Sequence, residues 1–393
     1  MERIILHCDL NNFFASVECL LNPQLKEVPM VVGGNEAERH GVVLAKNELA
    51  KKHGIITGES LWSARQKCPQ LVTAPPHHDI YVHYSKLARE IYSRFTDLVE
   101  PFGIDECWLD ITGSTALFGS ASHIAETLRQ TMKDELGLTI SIGVSFNKVF
   151  AKLGSDLKKP DAITYIPAYD FKKIIWPLPV SDILGAGKAT TKKLNLYSIR
   201  TIGDLAHAKP ELLKQLLGEN GLQLWTYANG LDHSPVHNLN TKEPIKSIGN
   251  STTLAHDLSS LKEVNHIFIQ LAEKISSRLR HQELLASTIQ IWVKDANFNA
   301  KQYQKPLTFP SCTAKDLAIA SMELFETHCN FHTPIRALGI RTLNLISRNE
   351  PEQMNLFELT SNSRKVEALE NSLDALKNKY GKNIIQKGSN LLK

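Results

Sequence analysis

The order of strand-like and helix-like segments limits the fold of this chain more than any other feature of its sequence. Apolar residues recur with a period of two in strands and about 3.6 in helices. These patterns predict, in order, a strand at 3–10, a helix at 12–21, a mixed segment at 22–77, a helix at 77–98, two strands within 99–111, a helix at 122–137 and a strand at 138–145. Without the mixed segment, the order is β-α-β-β-α-β.

This order predicts a ferredoxin-like split βαβ unit. Right-handed crossovers make its first and second strands parallel and place the third strand between them, antiparallel to both. The carboxyl end of the first strand then lies at the same edge of the sheet as the turn between the second and third strands. Asp9 lies at that carboxyl end, and the stretch GIDECWLDIT (103–112) places Asp105 and Glu106 in that turn.

Three carboxylates at one edge repel each other unless a cation lies among them. Hard oxygen ligands of this kind suit Mg²⁺, which takes one or two carboxylates together with substrate phosphates. Two such ions about 3.5–4 Å apart can stabilise an in-line phosphoryl displacement. The alternative is that Asp105 and Glu106 form an acidic turn exposed to solvent, without any ligand.

Composition places the chain among ordinary soluble globular proteins. Its 393 residues suggest two to four domains, with 42% hydrophobic and 22% charged residues. We find neither a signal peptide nor an apolar run of ~18 residues and expect a cytoplasmic protein. The six cysteines lack metal-type spacing, which favours free thiols. Residues 1–166 contain 17 Lys/Arg and 20 Asp/Glu, and the remainder 28 and 21, so a basic part follows an acidic part.

The basic part suggests contact with a polyanion. Residues 167–233 contain Gly185 and Gly187, followed by Lys188, between two short helices. This helix-hairpin-helix pattern can hold a nucleic-acid backbone without reading its sequence, although a bare G-x-G is often only a turn. A polar linker at 234–243 precedes a second α+β region at 244–346. Its basic residues are either phosphate contacts or a solvated face; they are Lys246, Arg278, Arg280, Lys294, Lys301 and Lys305.

Three motifs, taken together, resemble those of Y-family translesion DNA polymerases of the bacterial DNA polymerase IV type. CDLNNFFASVE resembles the first metal motif of that family, and GIDECWLDIT resembles the second. GVSFNKVFAKLGSDLKKP resembles the motif that carries phosphate-binding lysines. The resemblance extends over nearly the whole chain. It implies low-fidelity, template-directed transfer of a deoxynucleotide to a primer 3′-hydroxyl, on damaged as well as intact templates.

The resemblance implies roles for individual residues. Asp9, Asp105, Glu106 and the backbone carbonyl of Leu10 would bind two Mg²⁺ ions, and Glu106 would also assist at the primer end. Phe14 matches the position that excludes ribonucleotides. The remaining matches are nucleotide contacts at Phe13, Ala45, Lys51 and Lys159, and DNA contacts at Gly185, Gly187, Lys188 and Ser247.

The resemblance also implies an α+β, right-hand polymerase. Its parts would be a ferredoxin-like palm (1–21 and 78–166), small fingers (22–77), a helix-hairpin-helix thumb (167–233), a linker (234–243), an α+β little finger (244–346) and a tail (347–393). In the tail, Gln353, Leu356 and Phe357 match the anchors of a sliding-clamp-binding peptide. The expected partners are therefore primer-template DNA, dNTPs and a sliding clamp, with the chain acting as a monomer.

One motif departs from the family pattern. The family usually has Tyr and Arg, three residues apart, facing the triphosphate from the fingers. Here Glu48 and Lys51 take those positions. Lys can supply charge but not a bidentate fork, and Glu48 has the wrong sign for a phosphate neighbour unless it points away or meets a lysine or a metal. Lys46 and Lys52 either compensate or form a solvated helix face.

Two other classes of protein compete with this interpretation. A nucleotidyl cyclase uses a similar sheet and acidic turn, but it has no need of a helix-hairpin-helix or a basic second domain. A catalytically inactive DNA- or clamp-binding scaffold needs neither the three acids nor Lys159. Assays of primer extension and of cyclase activity, with and without Mg²⁺, separate the three classes.

Overall fold

The structure is a computed structural model that describes residues 3–241, 244–348, 361–381 and 384–385. It separates into unit 1, residues 1–34 and 41–242, and unit 2, residues 35–40 and 243–393. No helix among the described residues combines the length and the apolar character that a membrane span requires.

Strands and helices alternate along the described chain. The strands are β1 Ile5–Leu10, β2 Met30–Gly33, β3 Val43–Lys46, β4 Val72–Ala74, β5 Val99–Pro101, β6 Glu106–Asp110, β7 Ile140–Ser145, β8 Ile163–Ile166, β9 Ser247–Leu258, β10 Leu284–Asp295, β11 Ala300–Ser311 and β12 Ile335–Ser347. The α-helices are α1 Phe13–Leu21, α2 Glu48–Lys52, α3 Leu61–Lys67, α4 His78–Tyr92, α5 Thr115–Phe118, α6 Ala121–Leu136, α7 Lys148–Leu157, α8 Phe171–Ile175, α9 Lys188–Leu196, α10 Ile202–His207, α11 Pro210–Leu217, α12 Glu219–Ala228, α13 Leu261–His281, α14 Ala314–His328 and α15 Ser361–Tyr380.

The central sheet of unit 1 has the order β5-β6-β1-β7-β8. Strand β6 lies between β1 and β5 and is antiparallel to both, as the β-α-β-β-α-β pattern predicts. Strand β7 pairs with the other side of β1, and β8, which we did not predict, extends the sheet in parallel with β7. Helix α4 ends at Tyr92, six residues before the predicted end.

The two faces of this sheet carry different helices. On one face, α1, α4 and α6 bury a large core against alternate residues of β1, namely Leu6, Cys8 and Leu10. Helix α7 packs on the other face, where Ile5 contacts the cluster that contains Trp108 and Ala151. Gly143 permits this close packing, because a Cβ there would lie 1.8 Å from the Ala151 carbonyl oxygen. Residues of β1 with odd numbers therefore face α7.

The fingers segment is a small sheet with two short helices. Its strand order is β3-β2-β4, and β4 was missing from our prediction. The helices α2 and α3 bury Ala50, Leu61 and Ala64 against this sheet. Glu18 in α1, 4% exposed, joins the two ends of the segment: it accepts a hydrogen bond from the Tyr81 hydroxyl and lies 2.9 Å from His77 Nδ1.

Helices α8 to α12 follow β8 and share a separate hydrophobic core. In unit 2, a four-stranded antiparallel sheet of order β11-β10-β12-β9 packs one face against α13 and α14. Helix α15 then contacts α13 through ion pairs. The Arg280 guanidinium binds Glu370 and Asp374 of α15, and Ser276 lies 3.0 Å from Glu370. We call these four residues the Arg280 cluster.

Candidate active site

The end of β1 brings the three predicted acids together. Asp9 is paired with Glu106 across the β1–β6 ladder, and the next residue, Leu10, donates its N–H to the Asp105 carbonyl at 3.1 Å. Only Asp105 lies in the turn, because Glu106 is the first residue of β6. This corrects the prediction that both acids occupy the turn. As a strand residue paired with Asp9, Glu106 points to the same face of the sheet as Asp9.

Helix α7 and the loop after it place lysines on these acids. Lys159 Nζ lies 2.7 Å from both Asp9 Oδ2 and Asp156 Oδ1. Lys152 Nζ lies 2.5 Å from Glu106 Oε2. Each ammonium is partly buried, so these ion pairs are screened less than pairs on the open surface. The site thus combines three acids with two cations that phosphate oxygens can also bind.

His7 lies beside Glu106 inside the sheet. Its ring is completely buried, with Nε2 3.1 Å from Glu106 Oε2 and Nδ1 2.8 Å from Ser155 Oγ. Burial lowers the pKa of His7, although the neighbouring Glu106 carboxylate opposes this effect. The Ser155 hydroxyl donates to the Lys152 carbonyl at 2.7 Å, so its oxygen can accept from His7 Nδ1–H, whereas Nε2 lies beside Glu106 Oε2 without hydrogen-bond geometry. Lys152 therefore holds the Glu106 carboxylate, and the buried His7 ring packs beside it.

The two paired acids differ in their protonation. Burial raises the pKa of Asp9 to about 7, against the opposing effect of Lys159, and the charges of Glu106 and Asp105 add to the rise. Burial would also raise the pKa of Glu106, but the contacts with His7 and Lys152 outweigh it and lower that pKa to about 2. Burial and the neighbouring Glu106 charge raise the pKa of Asp105. Negative charge at Asp9 and Asp105 is therefore only partly compensated.

This charge imbalance fits a divalent cation. Within the described residues, no three His, Cys, Asp or Glu side chains converge closely enough to surround one ion. Mg²⁺ does not require three, because it usually takes one or two carboxylates and completes its shell with water and substrate phosphates. Asp9, Asp105 and the Leu10 carbonyl offer the hard oxygen donors, and a cation would relieve the cost that raises both aspartate pKa values.

Two aromatic residues follow the acids in α1. Phe14 is half-buried and stacks on Tyr81, with ring centroids 4.2 Å apart. Phe13 is 3% exposed and belongs to the core. The Phe13 side chain therefore packs in the core, and its contact with a nucleotide stays a prediction. Phe14, with one face on Tyr81, remains partly exposed.

The fingers meet the palm through a polar link that we did not predict. Asn12 Nδ2 donates to Glu48 Oε1 at 2.8 Å, and Lys51 Nζ lies 3.6 Å from the same oxygen. The negative charge of Glu48 is therefore paired with a lysine and an amide, which explains how an acid can occupy a position that faces the triphosphate in the family. Ala45 packs against the palm core, and Lys46 donates to the Thr57 hydroxyl at 3.3 Å.

The predicted DNA contacts lie in two regions outside this acidic edge. Gly185 has φ +92°, a conformation that favours glycine, and Gly187 is the N-cap of α9, which begins at the exposed Lys188. A short 3₁₀ turn, Val180–Asp182, stands where we predicted the first helix of the hairpin. In unit 2, Ser247 begins β9, and its hydroxyl accepts a hydrogen bond from Arg341 at 3.1 Å.

Arg280 is neither a phosphate contact nor part of a solvated face. Its side chain is 6% exposed and is bound by the acids of the Arg280 cluster. The sequence did not indicate this, because the acids lie 90 and 94 residues further along the chain. The predicted clamp-binding residues Gln353, Leu356 and Phe357 lie outside the described residues.

Sequence reasoning missed His7 and Lys152 as neighbours of Glu106. A signal for His7 was present: an imidazole at an interior position of an otherwise apolar strand needs a partner when it is buried. Lys152 gave no comparable signal, because its contact with β6 spans 46 residues and depends on how α7 packs on the sheet.

Comparison with known proteins agrees with this geometry. The profile of the impB/mucB/samB family matches residues 8–156, and that of its C-terminal domain matches residues 245–356. A solved Y-family DNA polymerase chimera superposes with a TM-score of 0.78 at 22% identity, covering 88% of this chain and 99% of its own. The fold is therefore that of a Y-family polymerase, and the predicted α+β right-hand fold class is confirmed.

Full-length relatives narrow the class further. A protein named DNA polymerase IV from Acetivibrio thermocellus is 45% identical over 99% of this chain and 97% of its own length. DNA polymerase IV 1 of Bacillus subtilis is 38% identical over 100% of this chain and 94% of its own. The chain belongs to the impB/mucB/samB family of Y-family DNA polymerases, of the bacterial DNA polymerase IV type. The resemblance found in the sequence is thereby confirmed, and the alternative that the chain is a nucleotidyl cyclase is excluded.

Proposed function

We propose that the acidic edge formed by Asp9, Asp105 and Glu106 transfers a deoxynucleotide from a dNTP to the 3′-hydroxyl of a primer paired with a template. The chain is a DNA-directed DNA polymerase of a family that copies damaged templates with low fidelity. The observation that carries the site assignment is the meeting of three acids and two lysines at one edge of the sheet. Phosphoryl transfer depends mainly on positioning and on stabilising charge, which such a set can do.

Two Mg²⁺ ions would be held by Asp9, Asp105 and the Leu10 carbonyl, with Glu106 completing the set. Bound there, Mg²⁺ supplies the positive charge that lowers the pKa of the primer hydroxyl and offsets the charge on the leaving pyrophosphate. Lys152 keeps Glu106 ionised and oriented toward the primer end. Lys159, which pairs with Asp9, is the group best placed to bind a triphosphate instead when the carboxylate meets a cation.

The half-buried ring of Phe14 would lie under the sugar of the incoming nucleotide. A flat ring offers a 2′-hydroxyl neither room nor a hydrogen-bond partner, which costs ~1–3 kcal/mol. Phe14→Ala should raise the efficiency of ribonucleotide relative to deoxynucleotide incorporation by about five- to 150-fold. Phe13→Ala is the matched control: both efficiencies should fall with thermal stability, and their ratio should not change. An unchanged ratio in Phe14→Ala would remove the assignment.

Primer-template DNA would be held by backbone N–H groups around Gly185, Gly187 and Lys188, and by Ser247 at the start of β9. Helix N-termini and glycine-rich turns bind phosphates in this way without selecting a sequence. The small fingers segment offers little surface for checking the shape of a base pair. Such a small checking surface suits a polymerase that accepts damaged templates.

The tail peptide would bind a sliding clamp through Gln353, Leu356 and Phe357. A short peptide gains most of its affinity from a few anchors. Replacing Leu356 and Phe357 with Ala should leave unassisted synthesis unchanged and remove its stimulation by the clamp. Glu358→Ala, beside the anchors, should keep the stimulation. A double variant that still responds to the clamp would contradict the proposal.

Primer extension tests the proposed reaction directly. The purified chain, tested as a monomer, should extend a primer on an undamaged and on a lesion-bearing template when Mg²⁺ and dNTPs are present. A chelator should stop both reactions. Extension that is independent of divalent metal, or no extension on either template, would overturn the proposed function.

A further inference from the structure

One part of the fingers exposes apolar side chains that the fold does not use. Trp62 is 70% exposed and Ile56 58%, while Val42 and Leu44 are each more than one-third exposed. Tryptophan is usually well buried in folded proteins, and a contiguous exposed apolar patch marks an interaction site. We call Val42, Leu44, Ile56 and Trp62, with the neighbouring Arg65, the Trp62 surface.

Backbone hydrogen bonds make these residues neighbours. Leu61, next to Trp62, donates its N–H to the Gly41 carbonyl at 2.9 Å, and Val42 forms a bridge with Ser60. The segment that carries Ile56 runs beside the start of β3, where Gly58 N–H donates to the Val43 carbonyl at 2.8 Å. Val42 and Leu44 share one face of the strand, opposite the buried Val43.

Helix α3 leaves Trp62 outside the core of the fingers. The helix buries Leu61 and Ala64 in the fingers core and leaves Trp62, Arg65 and Gln66 outside. These three side chains are spaced i, i+3 and i+4, so they lie together on one helical face. An aromatic ring, a guanidinium and an amide on a single exposed face form a set that can stack on a base and contact a phosphate.

The charge of this region favours a nucleic acid over an acidic or neutral partner. Residues 41–77 contain five Lys/Arg and two Asp/Glu, a net charge of +3, within the otherwise acidic first part of the chain. One of the two acids, Glu59, is held by Lys67 at 2.7 Å and by the Ser63 hydroxyl at 3.1 Å. The negative charge nearest to the Trp62 surface is therefore already neutralised.

The position of the surface relates it to the acidic edge. Ala45 packs against the palm core, and Glu48 contacts Asn12, three residues after Asp9. From Ala45 back to Val42, β3 rises ~10 Å at about 3.3 Å per residue. Stacked bases are ~3.4 Å apart along a strand. Val42, at one end of the Trp62 surface, is therefore within about three base spacings of Ala45, which packs against the palm core.

We propose that the Trp62 surface binds the unpaired template strand ahead of the base being copied, with the Trp62 indole stacked on an unpaired base. The inference rests on the proposed polymerase function and extends it to a second contact with the template. It assigns Trp62 to substrate binding and leaves the chemistry to the acidic edge. The ligand is single-stranded DNA of any sequence, because every base offers a face for stacking.

The test compares two primer-templates that differ only in the number of unpaired template bases, one or five. Loss of stacking should weaken the binding of Trp62→Ala to the five-base substrate by about five- to 150-fold, the range for ~1–3 kcal/mol. Binding to the one-base substrate should match the wild type. Trp62→Phe should retain most of the affinity. Leu117→Ala removes a palm side chain that is 83% exposed and should change neither.

Each other outcome counts against the proposal. Equal weakening on both substrates would show a general effect on DNA binding, and no weakening on either would show that the surface serves another partner, such as a protein. Wild-type extension separates this failure from failure of the proposed function. If the wild type extends both substrates and Trp62→Ala binds both equally well, only the template contact is wrong.

Discussion

The acidic edge of the palm and the Arg280 cluster of unit 2 differ in how the charges of their carboxylates are compensated. In the Arg280 cluster, the Glu370 carboxylate meets the Arg280 guanidinium, the Ala314 N–H at 3.1 Å and the Ser276 hydroxyl at 3.0 Å. In the palm, Asp9 meets one lysine and two neighbouring acids, and its pKa rises to about 7 because it is buried. In the cluster that stabilises the fold, the charged groups are therefore compensated by other groups of the chain. In the site, the carboxylates keep negative charge that a bound cation can compensate.

The largest effect is expected when an acid of the palm is removed, because this should abolish activity without unfolding the chain. Asp105→Asn should lower primer extension by about 100- to 1000-fold or more, because it removes a charge that acts in the transition state. Asp97→Asn, an exposed acid of the same segment, should leave extension unchanged. In urea, Asp105→Asn should be no less stable than the wild type, because burial and the Glu106 charge raise the pKa of Asp105 and make its charge unfavourable in the folded state. Near wild-type extension by Asp105→Asn at saturating Mg²⁺ would remove the assignment of the site.

The Arg280 cluster should respond in the opposite manner. Glu370→Ala removes one of the two carboxylates that bind the buried Arg280, which should lower the free energy of unfolding by about 1.5–3 kcal/mol. Urea unfolding measures this loss, and extension per folded molecule should remain the same. Glu326→Ala, an exposed acid on α14, is the control. A loss below ~1 kcal/mol would mean that α15 is not held by this cluster.

The pH dependence of folding stability tests the contrast between the two clusters at Asp9. Because its pKa in the folded chain lies above the ordinary value, the folded state holds this proton more tightly than the unfolded state. Wild-type stability should therefore fall as the pH rises from about 4 to about 7. Without divalent metal, Asp9→Asn should be more stable than the wild type at pH 8 by about 1–3 kcal/mol, and the difference should close only as the pH falls to about 4, near the pKa of an unfolded aspartate. A variant less stable than the wild type at pH 8 would show that Lys159 fully compensates Asp9.

The smallest effect concerns the link between palm and fingers. Asn12→Ala and Glu48→Ala should each raise the KM for dNTP by about two- to tenfold with little change in kcat, because the lost hydrogen bond contributes ~0.5–1.5 kcal/mol. The double variant should resemble either single variant, since both remove the same contact. Lys52→Ala, on the exposed face of α2, should behave as the wild type. Fully additive effects would show that the two residues act separately.

The periodicity of the sequence was sufficient for the central elements of the palm. Strands β1, β6 and β7 follow an apolar pattern because they are buried in the sheet, whereas β5 is a short edge strand in which only Val99 is buried. The strand order then follows from right-handed crossovers. Strand β11 escaped prediction because it is an edge strand. Its residues are mostly polar and include Pro306 and Pro310, which an edge tolerates.

The acids of the site were predictable and their supports were not. Asp9, Asp105 and Glu106 lie where topology alone brings them together. Lys152 and the partners of Arg280 depend on side-chain packing between distant segments, which no local pattern encodes; for His7, the strand pattern indicates a need for a partner but not which residue it is. The strand register also could not be predicted from composition. The β1–β6 ladder extends one residue further than predicted, so Glu106 pairs with Asp9 in β6 and does not lie in the turn.

Glu18 has a consequence for the ancestry of the chain. Through His77 and Tyr81 it fastens the place where the fingers leave the palm to the place where they return. A segment whose two ends meet can be lengthened, shortened or exchanged without altering the frame that carries it. The catalytic frame and the part that handles the template can therefore diverge at different speeds. Within residues 22–77, Met30, Val32 and Ala74 belong to the palm core, so this freedom is confined to the loops and to α2 and α3.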